Sequence, residues 1–161
     1  MSMADSDMPN ADALSPDALA KACAEIMGAK DSASAHLGMS LDHVAPGEAR
    51  TSMMIEPLHT NGHGMCHGGF IFTLADTAFA FACNSYNDRV VAQQASIAFL
   101  APGRLGDRLV AEAREVNRAG RSGIYDVRVS NQNGERIAEF RGHSRMIGGT
   151  HLPASDQPAT T

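Results

Sequence analysis

The chain has 161 residues, of which 43% are hydrophobic and 19% charged, and its formal net charge is −5. This length suits one domain with a buried core, and the negative charge without a local Lys/Arg cluster excludes a general binder of nucleic acids or anionic membranes. Three cysteines without the spacing of a disulfide framework indicate reduced thiols in a cytoplasmic protein.

The two ends of the chain are polar and carry no targeting signal that we recognise. The first residues are acidic and lack both a basic region and an apolar core, which excludes a secretory signal or transit peptide. The longest apolar run is too short and too interrupted to span a bilayer. We expect residues 1–14 to be a disordered extension, residues 15–149 to form one folded domain, and residues 150–161 to be a disordered tail.

Local signals predict one helix and two strands in the first third of the folded part. Ser15, followed by proline and an acid, is a typical helix start, and Gly28 is a typical end. Two strands are expected after it, Leu37–Val44 and Glu48–Glu56, separated by a turn that contains Pro and Gly.

A second helix is predicted in the apolar run Phe70–Cys83. This run is apolar on every side, which is typical of a buried helix. Its one charged residue, Asp76, is also the only charged residue between Glu56 and Asp88. Burial penalises a carboxylate and raises its pKa unless hydrogen bonds stabilise it, so a functional acid is favoured over a structural one.

Four further strands are indicated by alternating apolar and polar residues, with short turns between them. The strong hairpin dipeptide Asn133-Gly134 separates the last two strands. The residues expected on apolar faces are Ala95, Ile97 and Phe99; Leu109, Ala111 and Ala113; Tyr125, Val127 and Val129; and Ala138, Phe140 and Met146. Four consecutive strands with short turns predict an antiparallel meander.

These elements together predict an α+β fold in which a curved antiparallel sheet wraps around one long helix. Such a sheet still has open edges, so we expect association into dimers or larger assemblies.

The segment before the buried helix is a loop rich in glycine and histidine. Gly68 and Gly69 follow it at the expected helix start, where amide N–H groups lack internal partners and carry partial positive charge. The Gly68 N–H is therefore a candidate donor to the oxygen of a polarised carbonyl. The alternative is that these glycines only permit a tight turn.

Helix geometry separates the two candidate groups. Gly68 and Asp76 are eight positions apart, which corresponds to roughly 12 Å along a helix. Both cannot contact one carbonyl within a single chain. If they cooperate, each active site combines residues of two subunits.

The histidines of the loop suggest two weaker alternatives. His59, His63 and His67 together with Cys66 are possible zinc ligands, although their helical spacing falls in a loop without acidic residues nearby. A nucleophilic Cys66–His67 pair is disfavoured because sequence neighbours usually point apart. His67 can instead orient the loop or contact a substrate. We expect no metal and no cofactor.

The residues Asn61, His67-Gly68-Gly69 and Leu74-Ala75-Asp76 resemble the motif of hotdog-fold acyl-CoA thioesterases of the phenylacetate-degradation (PaaI) type. The resemblance extends over about residues 20–149. It implies a hotdog fold, hydrolysis of an aryl or medium-chain acyl-CoA such as (hydroxy)phenylacetyl-CoA, and a homodimer with shared active sites that pairs into a homotetramer.

The resemblance also assigns roles to residues. Asp76 matches the catalytic acid, acting as general base or nucleophile, and Gly68 matches the amide that polarises the thioester carbonyl. Asn61 matches the polar residue that holds substrate or water, with His67 beside it. Some relatives carry a hydroxyl one turn after the acid, where this chain has Ala80. The choice between base and nucleophile therefore stays open.

Gly69, Arg121 and Ser122 are further candidates for substrate binding, the last two for the phosphates of CoA. Two other functions compete with thioester hydrolysis. A hotdog hydratase or dehydratase would act on the acyl carbons next to the carbonyl, and a non-catalytic protein would only bind acyl-CoA. We recognise no DNA-binding region in the sequence, which disfavours a regulator.

Overall fold

The computed structural model describes residues 9–154, which form three α-helices and six strands. The helices are α1 (Pro16–Gly28), α2 (Ser32–His36) and α3 (Gly68–Cys83). The strands are β1 (Ser40–Ala45), β2 (Glu48–Met54), β3 (Asp88–Phe99), β4 (Arg108–Ala119), β5 (Ser122–Ser130) and β6 (Arg136–Thr150). Two short 3₁₀ helices span Ala11–Ala13 and Pro57–His59.

The six strands form one antiparallel sheet in the order β1-β2-β4-β5-β6-β3, and α3 packs against one face of it. The buried side of α3 includes Leu74, Ala75 and Ala78, which have no exposed surface. A long apolar helix against a curved antiparallel sheet is the hotdog arrangement that the sequence predicted, so the α+β fold class is confirmed.

The first elements follow the local signals closely, with one exception. α1 begins after Ser15, whose Oγ accepts a hydrogen bond from the Ala18 N–H at 3.3 Å, and it ends at Gly28 as predicted. The exception is α2, which the sequence analysis did not predict. Asp31 caps it by accepting a hydrogen bond from the Ser34 N–H at 3.0 Å. Because α2 and its end occupy the chain through Leu37, β1 begins at Ser40 instead of Leu37.

The predicted four-strand meander is wrong at its first strand. β4, β5 and β6 are consecutive neighbours, but β3 lies at the far edge beside β6, and β4 pairs with β2. Alternation tells which face of a sheet a residue occupies but not which strand lies beside it. The connection of residues 100–107 returns the chain from the edge strand to the interior of the sheet.

The core lies between α3 and the inner faces of the strands. The predicted inward residues of β4 and β5 are at most 1% exposed. On β6, Gly142 allows close packing with the helix: a Cβ there would lie 2.9 Å from three ring carbons of Phe79. The predicted β3 face is less buried, since Ala95 and Ile97 are half-buried and Phe99 is 53% exposed. This difference follows from the position of β3 at an edge.

The described parts of the two ends pack against each other, contrary to the disorder expected for them. The Ala11 N–H donates to the Pro153 carbonyl at 2.9 Å, and Ala11, Cys23 and Leu152 form a small buried cluster. Asn87 fastens the C-terminal segment, since its side chain accepts from the Leu152 N–H at 2.8 Å and donates to the Leu152 carbonyl at 3.2 Å. The expected disorder of residues 1–8 and 155–161 concerns segments outside the described residues.

Two further sequence expectations can be compared with residues 9–154. Cys23, Cys66 and Cys83 are all free thiols and all buried. None of the helices in this range is long and apolar enough to cross a membrane.

Candidate active site

The loop before α3 is folded by Asn61. Its side-chain Oδ1 accepts hydrogen bonds from the His63 N–H at 2.9 Å and the Met65 N–H at 3.3 Å, and its backbone N–H donates to the Met65 carbonyl at 2.7 Å. The side-chain oxygen of Asn61 therefore organises the loop, which leaves its Nδ2 group as the part that could contact a substrate.

The loop is fastened to the connection between β3 and β4. The Cys66 N–H donates to the Gly103 carbonyl at 2.9 Å, and Met65 forms an isolated β-bridge with Arg104. On its other side, the His67 N–H donates to the His59 carbonyl at 2.8 Å. These contacts fix the place at which α3 begins.

The two glycines at the start of α3 differ in what their amides do. His67 is the N-cap residue, and its Nδ1 accepts a hydrogen bond from the Gly69 N–H at 2.9 Å. The Gly68 N–H, in contrast, donates to no acceptor within residues 9–154. It lies at the positive end of the helix dipole. Of the two predicted glycines, Gly68 therefore has the amide that is available to a carbonyl oxygen.

Gly68 lines an open cavity of about 510 Å³ with mostly apolar walls. The walls are formed by the end of the loop, the start of α3 and the connection after β3. The lining residues are Met65, Cys66, Gly68, Ile71, Phe99, Leu100, Ala101, Pro102 and Gly103.

Asp76 lies in the middle of α3, and its side chain is half-buried. It makes no hydrogen bond or ion pair with any described residue. Burial raises the pKa of this carboxyl above its usual value. A carboxylate that is held partly out of water, without a hydrogen-bond donor to stabilise its charge, is a stronger base than an exposed one.

Asp76 lines a different cavity, of about 360 Å³, together with residues of α3, β3 and the C-terminal segment. Phe79 and Ala80 form part of this wall. Gly68 is absent from the lining of the Asp76 cavity, and Asp76 is absent from that of the Gly68 cavity. One described chain therefore does not bring the two residues together.

Sequence reasoning missed three polar residues of the Asp76 cavity, Asn84, Arg89 and His151. Asn84 orients the ring of His151. Its Oδ1 accepts from the Val90 N–H at 2.9 Å and its Nδ2 donates to the Val90 carbonyl at 3.0 Å, which sets the orientation of the amide. The His151 Nε2, 2.8 Å from the same Oδ1, must therefore donate. Burial, followed by the charge of Arg89, lowers the pKa of His151 and favours its neutral form.

Arg121 lies in the turn between β4 and β5, Ser122 is the first residue of β5, and both are exposed. The Arg121 Nη2 donates to the Met146 carbonyl at 3.0 Å, and the Ser122 Oγ accepts from Arg145 at 3.3 Å. They line a small depression that shares Cys83 with the Asp76 cavity. The two residues are thus beside the Asp76 cavity and not inside it.

The structure does not assemble the two weaker alternatives. Among residues 9–154, no group of three or more His, Cys, Asp or Glu side chains is placed to share a metal ion. The Nδ1 atoms of His59 and His67 accept backbone hydrogen bonds. Burial raises the pKa of Cys66 to about 11, and its Sγ contacts the backbone carbonyl of His67 instead of the ring.

Comparison with known proteins agrees with this fold. A family model described as the thioesterase superfamily matches residues 63–138. The chain is 42% identical to the acyl-coenzyme A thioesterase PaaI of Escherichia coli over 127 residues, which cover 79% of this chain and 91% of that protein. The chain therefore belongs to the thioesterase superfamily and is a hotdog-fold thioester hydrolase.

Within this superfamily, the solved structures point to one branch. The Escherichia coli PaaI structure has a TM-score of 0.83 and 40% identity, covering 84% of this chain and 99% of that one. The structure of a mutant of the phenylacetic acid degradation protein PaaI from Thermus thermophilus has a TM-score of 0.70 and 36% identity, and the match covers 73% of this chain and 100% of that one. The structure of a Streptococcus mutans protein bound to acetyl CoA has a TM-score of 0.67 and 28% identity, and the match covers 70% of this chain and 90% of that one. The resemblance to PaaI-type thioesterases that the sequence predicted is confirmed.

Proposed function

We propose that this protein hydrolyses the thioester of an acyl-CoA whose acyl group is aryl or of medium length, with (hydroxy)phenylacetyl-CoA as the first candidate. The observation that carries the proposal is the pair of unpartnered groups on α3: the Gly68 N–H at the positive end of the helix and the Asp76 carboxylate in its middle. The names of the most similar relatives, and the acetyl CoA bound to one of them, support a CoA thioester as substrate.

In the proposed reaction the carbonyl oxygen of the thioester accepts a hydrogen bond from the Gly68 N–H. This amide and the helix dipole stabilise the negative charge that develops on the oxygen when the carbonyl carbon is attacked. The attack forms a tetrahedral intermediate. Its collapse breaks the bond between carbon and sulfur and releases the thiol of CoA.

Asp76 drives the attack in one of two ways. As a general base it takes a proton from water while the water oxygen bonds to the carbonyl carbon, and it later returns that proton to the sulfur. As a nucleophile it attacks the carbon directly, which gives a mixed anhydride that water then hydrolyses. The raised pKa of Asp76 supports either role, because it strengthens the carboxylate as a base.

The proposal includes a site shared between two subunits. Gly68 and Asp76 line separate cavities and are separated by roughly 12 Å of helix, so one carbonyl cannot contact both groups of one chain. A two-fold dimer would bring the Gly68 cavity of one subunit against the Asp76 cavity of the other. Strand β3 ends the sheet and offers an unpaired edge, which supports association. We also propose that two such dimers associate into a homotetramer.

The test is release of free thiol from a panel of acyl-CoAs that includes phenylacetyl-CoA, hydroxyphenylacetyl-CoA, octanoyl-CoA and crotonyl-CoA. We expect thiol release, fastest with aryl or medium acyl groups. If crotonyl-CoA is hydrated while no substrate releases thiol, the hydratase alternative replaces the proposal. If acyl-CoAs bind and none reacts, the protein only binds them.

A further inference from the structure

We propose that the cavity beside Gly68 receives the acyl group of the substrate and that Phe99 is the residue that selects a flat aromatic ring there. This inference rests on the proposed thioesterase function and adds to it a location for the acyl group and a basis for its selection. It also uses a residue that the sequence analysis treated only as part of a strand face.

The Phe99 ring lies against Gly68, the residue whose amide is proposed to bind the carbonyl. It is the last residue of β3, where it pairs with Ala138 of β6. A Cβ on Gly68 would lie 2.8 Å from the Cζ of Phe99 and 3.2 Å from its Cε1. The tip of the Phe99 ring therefore occupies the space that any side chain at position 68 would need.

Hydrogen bonds fix the backbone on both sides of Phe99, so the position from which its ring extends is defined. The Leu100 N–H that follows donates to the Ile137 carbonyl at 2.8 Å, which continues the contact of β3 with β6. A few residues later the Gly103 carbonyl accepts from the Cys66 N–H. Phe99 is nevertheless 53% exposed, because its ring faces the open cavity and not the core.

The position of the carbonyl determines which part of the substrate enters this cavity. An oxygen bound to the Gly68 N–H lies about 3 Å from that nitrogen, so the atoms attached to the carbonyl carbon begin at the cavity wall. One of these atoms leads to the acyl group and the other, the sulfur, leads to the pantetheine arm of CoA. Only one of the two can continue past Phe99.

The chemistry of the walls favours the acyl group. Ile71, Phe99 and Leu100 present apolar side chains, and the carbonyl of Gly103 is already occupied by Cys66. The pantetheine arm contains two amide groups that need hydrogen-bond partners, and within residues 9–154 no charged, hydroxyl or amide side chain lines this cavity. The Asp76 cavity has polar residues, Asn84, Arg89 and His151, and is the better neighbour for the CoA side.

The aromatic ring of Phe99 in the wall favours an aromatic acyl group. The cavity of about 510 Å³ is large enough for a phenylacetyl group. Two aromatic rings in offset or edge-to-face contact attract each other beyond the burial of their area, which corresponds to a preference of about two- to tenfold over an aliphatic group. The ring of Phe99 stands where the first carbons of the acyl group pass.

The experiment compares two acyl groups with equal numbers of carbon atoms. For wild type, Phe99→Leu and Phe99→Tyr we would measure kcat/KM for phenylacetyl-CoA and octanoyl-CoA. We expect the ratio of the two values to fall about two- to tenfold in Phe99→Leu, which keeps an apolar side chain but removes the ring, and to be retained in Phe99→Tyr. Val116→Ala, at an equally exposed apolar residue outside both cavities, should leave the ratio unchanged.

A binding measurement separates this inference from the function on which it rests. S-(2-phenylethyl)-CoA and S-octyl-CoA are thioethers that cannot be hydrolysed, and titration calorimetry gives their Kd values. A wild-type preference for the phenylethyl compound that Phe99→Leu abolishes supports the acyl site even if no thioester is hydrolysed, in which case only the proposed function fails.

Three results would overturn the inference. The first is an unchanged ratio of kcat/KM and of Kd in Phe99→Leu. The second is an equal loss for both acyl groups, which would make Phe99 a structural support. The third is a change of oligomeric mass in Phe99→Leu by light scattering, which would make Phe99 an interface residue.

Discussion

Gly68 and Asp76 lie on one helix, α3, yet they line two cavities that share no residue. Gly68 is at the helix start with an unpartnered amide, and Asp76 is half-buried in the middle with an unpartnered carboxylate. In the proposed reaction one thioester carbonyl contacts both groups, but the two groups of one chain are too far apart for that. The proposed chemistry therefore requires the proposed dimer.

Asp76→Asn should lower thioester hydrolysis by about 10²-fold or more while the protein remains folded. The amide has the size of the carboxyl but can neither accept the proton nor attack the carbonyl. Steady-state thiol release measures the loss, and circular dichroism confirms the fold. Asp17→Asn, at an exposed acid of α1, serves as the control and should retain activity. Wild-type turnover in Asp76→Asn would return Asp76 to a structural role.

The same substitution should stabilise the protein at neutral pH. Because burial raises the pKa of Asp76 in the folded state, the folded protein binds a proton more tightly than the unfolded chain does. The stability of wild type therefore decreases as pH rises from the unfolded pKa of about 3.9 through the folded pKa. Above that window ionised Asp76 destabilises the fold, and the neutral amide that Asp76→Asn introduces avoids this cost.

Urea unfolding at several pH values would measure this effect. The gain in the free energy of unfolding of Asp76→Asn should be present at pH 7 and should shrink as pH falls towards 4, where Asp76 itself becomes neutral. A gain that grows towards acid pH would contradict the raised pKa.

Hydrolysis should not depend on a metal ion. Among residues 9–154 no group of three or more His, Cys, Asp or Glu side chains is placed to share a metal ion, and the Nδ1 atoms of His59 and His67 accept hydrogen bonds from the Glu56 and Gly69 amides. Extended dialysis against EDTA, followed by the thiol-release assay, should leave kcat unchanged. Loss of activity that zinc restores would favour the metal site instead.

Arg121→Ala should raise KM for acyl-CoA by about fivefold and leave kcat nearly unchanged. A contact with a CoA phosphate would be made equally in the ground state and the transition state, so its loss weakens binding without slowing the chemical step. Arg114→Ala, at an exposed arginine that lines neither the Gly68 nor the Asp76 cavity, is the matched control. Equal KM values for the two variants would remove Arg121 from the binding site.

Mixed dimers of two inactive variants should recover activity. Gly68→Val places a branched side chain against the Phe99 ring and closes the approach to the amide, whereas Asp76→Asn removes the base. In a heterodimer one site combines an intact Gly68 with an intact Asp76, and the other site carries both lesions. We expect up to about half of the wild-type activity per heterodimer. If labelled subunits exchange and no activity returns, the shared site is wrong.

The sequence predicted the fold well where a local signal was strong. The helix cap at Ser15, the apolar run around Asp76 and the turn Asn133-Gly134 each specify their own conformation, and the structure confirms all three. The place of β3 at the sheet edge could not be predicted in this way, because the pairing of strands depends on contacts between distant parts of the chain.

Residues of the candidate site were likewise predictable only where the sequence itself is unusual. Gly68 and Asp76 stand out in the sequence because a glycine pair and a lone carboxylate are unusual next to and within an apolar helix. Phe99 and His151 do not stand out, since a phenylalanine in a strand and a histidine near the end of the chain are ordinary. Only the tertiary structure brings Phe99 over Gly68 and His151 into the Asp76 cavity.

The anchoring of the C-terminal segment by Asn87 affects how this enzyme could be altered. One wall of the Asp76 cavity comes from His151, which follows the last strand and is held by its backbone N–H bond to the Asn87 carbonyl at 3.1 Å and by its side-chain contact with Asn84. The His151 side chain can be replaced without changing any strand pairing, whereas Leu152 is buried against Ala11 and Cys23 and has to be kept. His151 is thus a position at which the cavity can be adjusted, and a library of substitutions there could retune substrate choice while the scaffold stays intact.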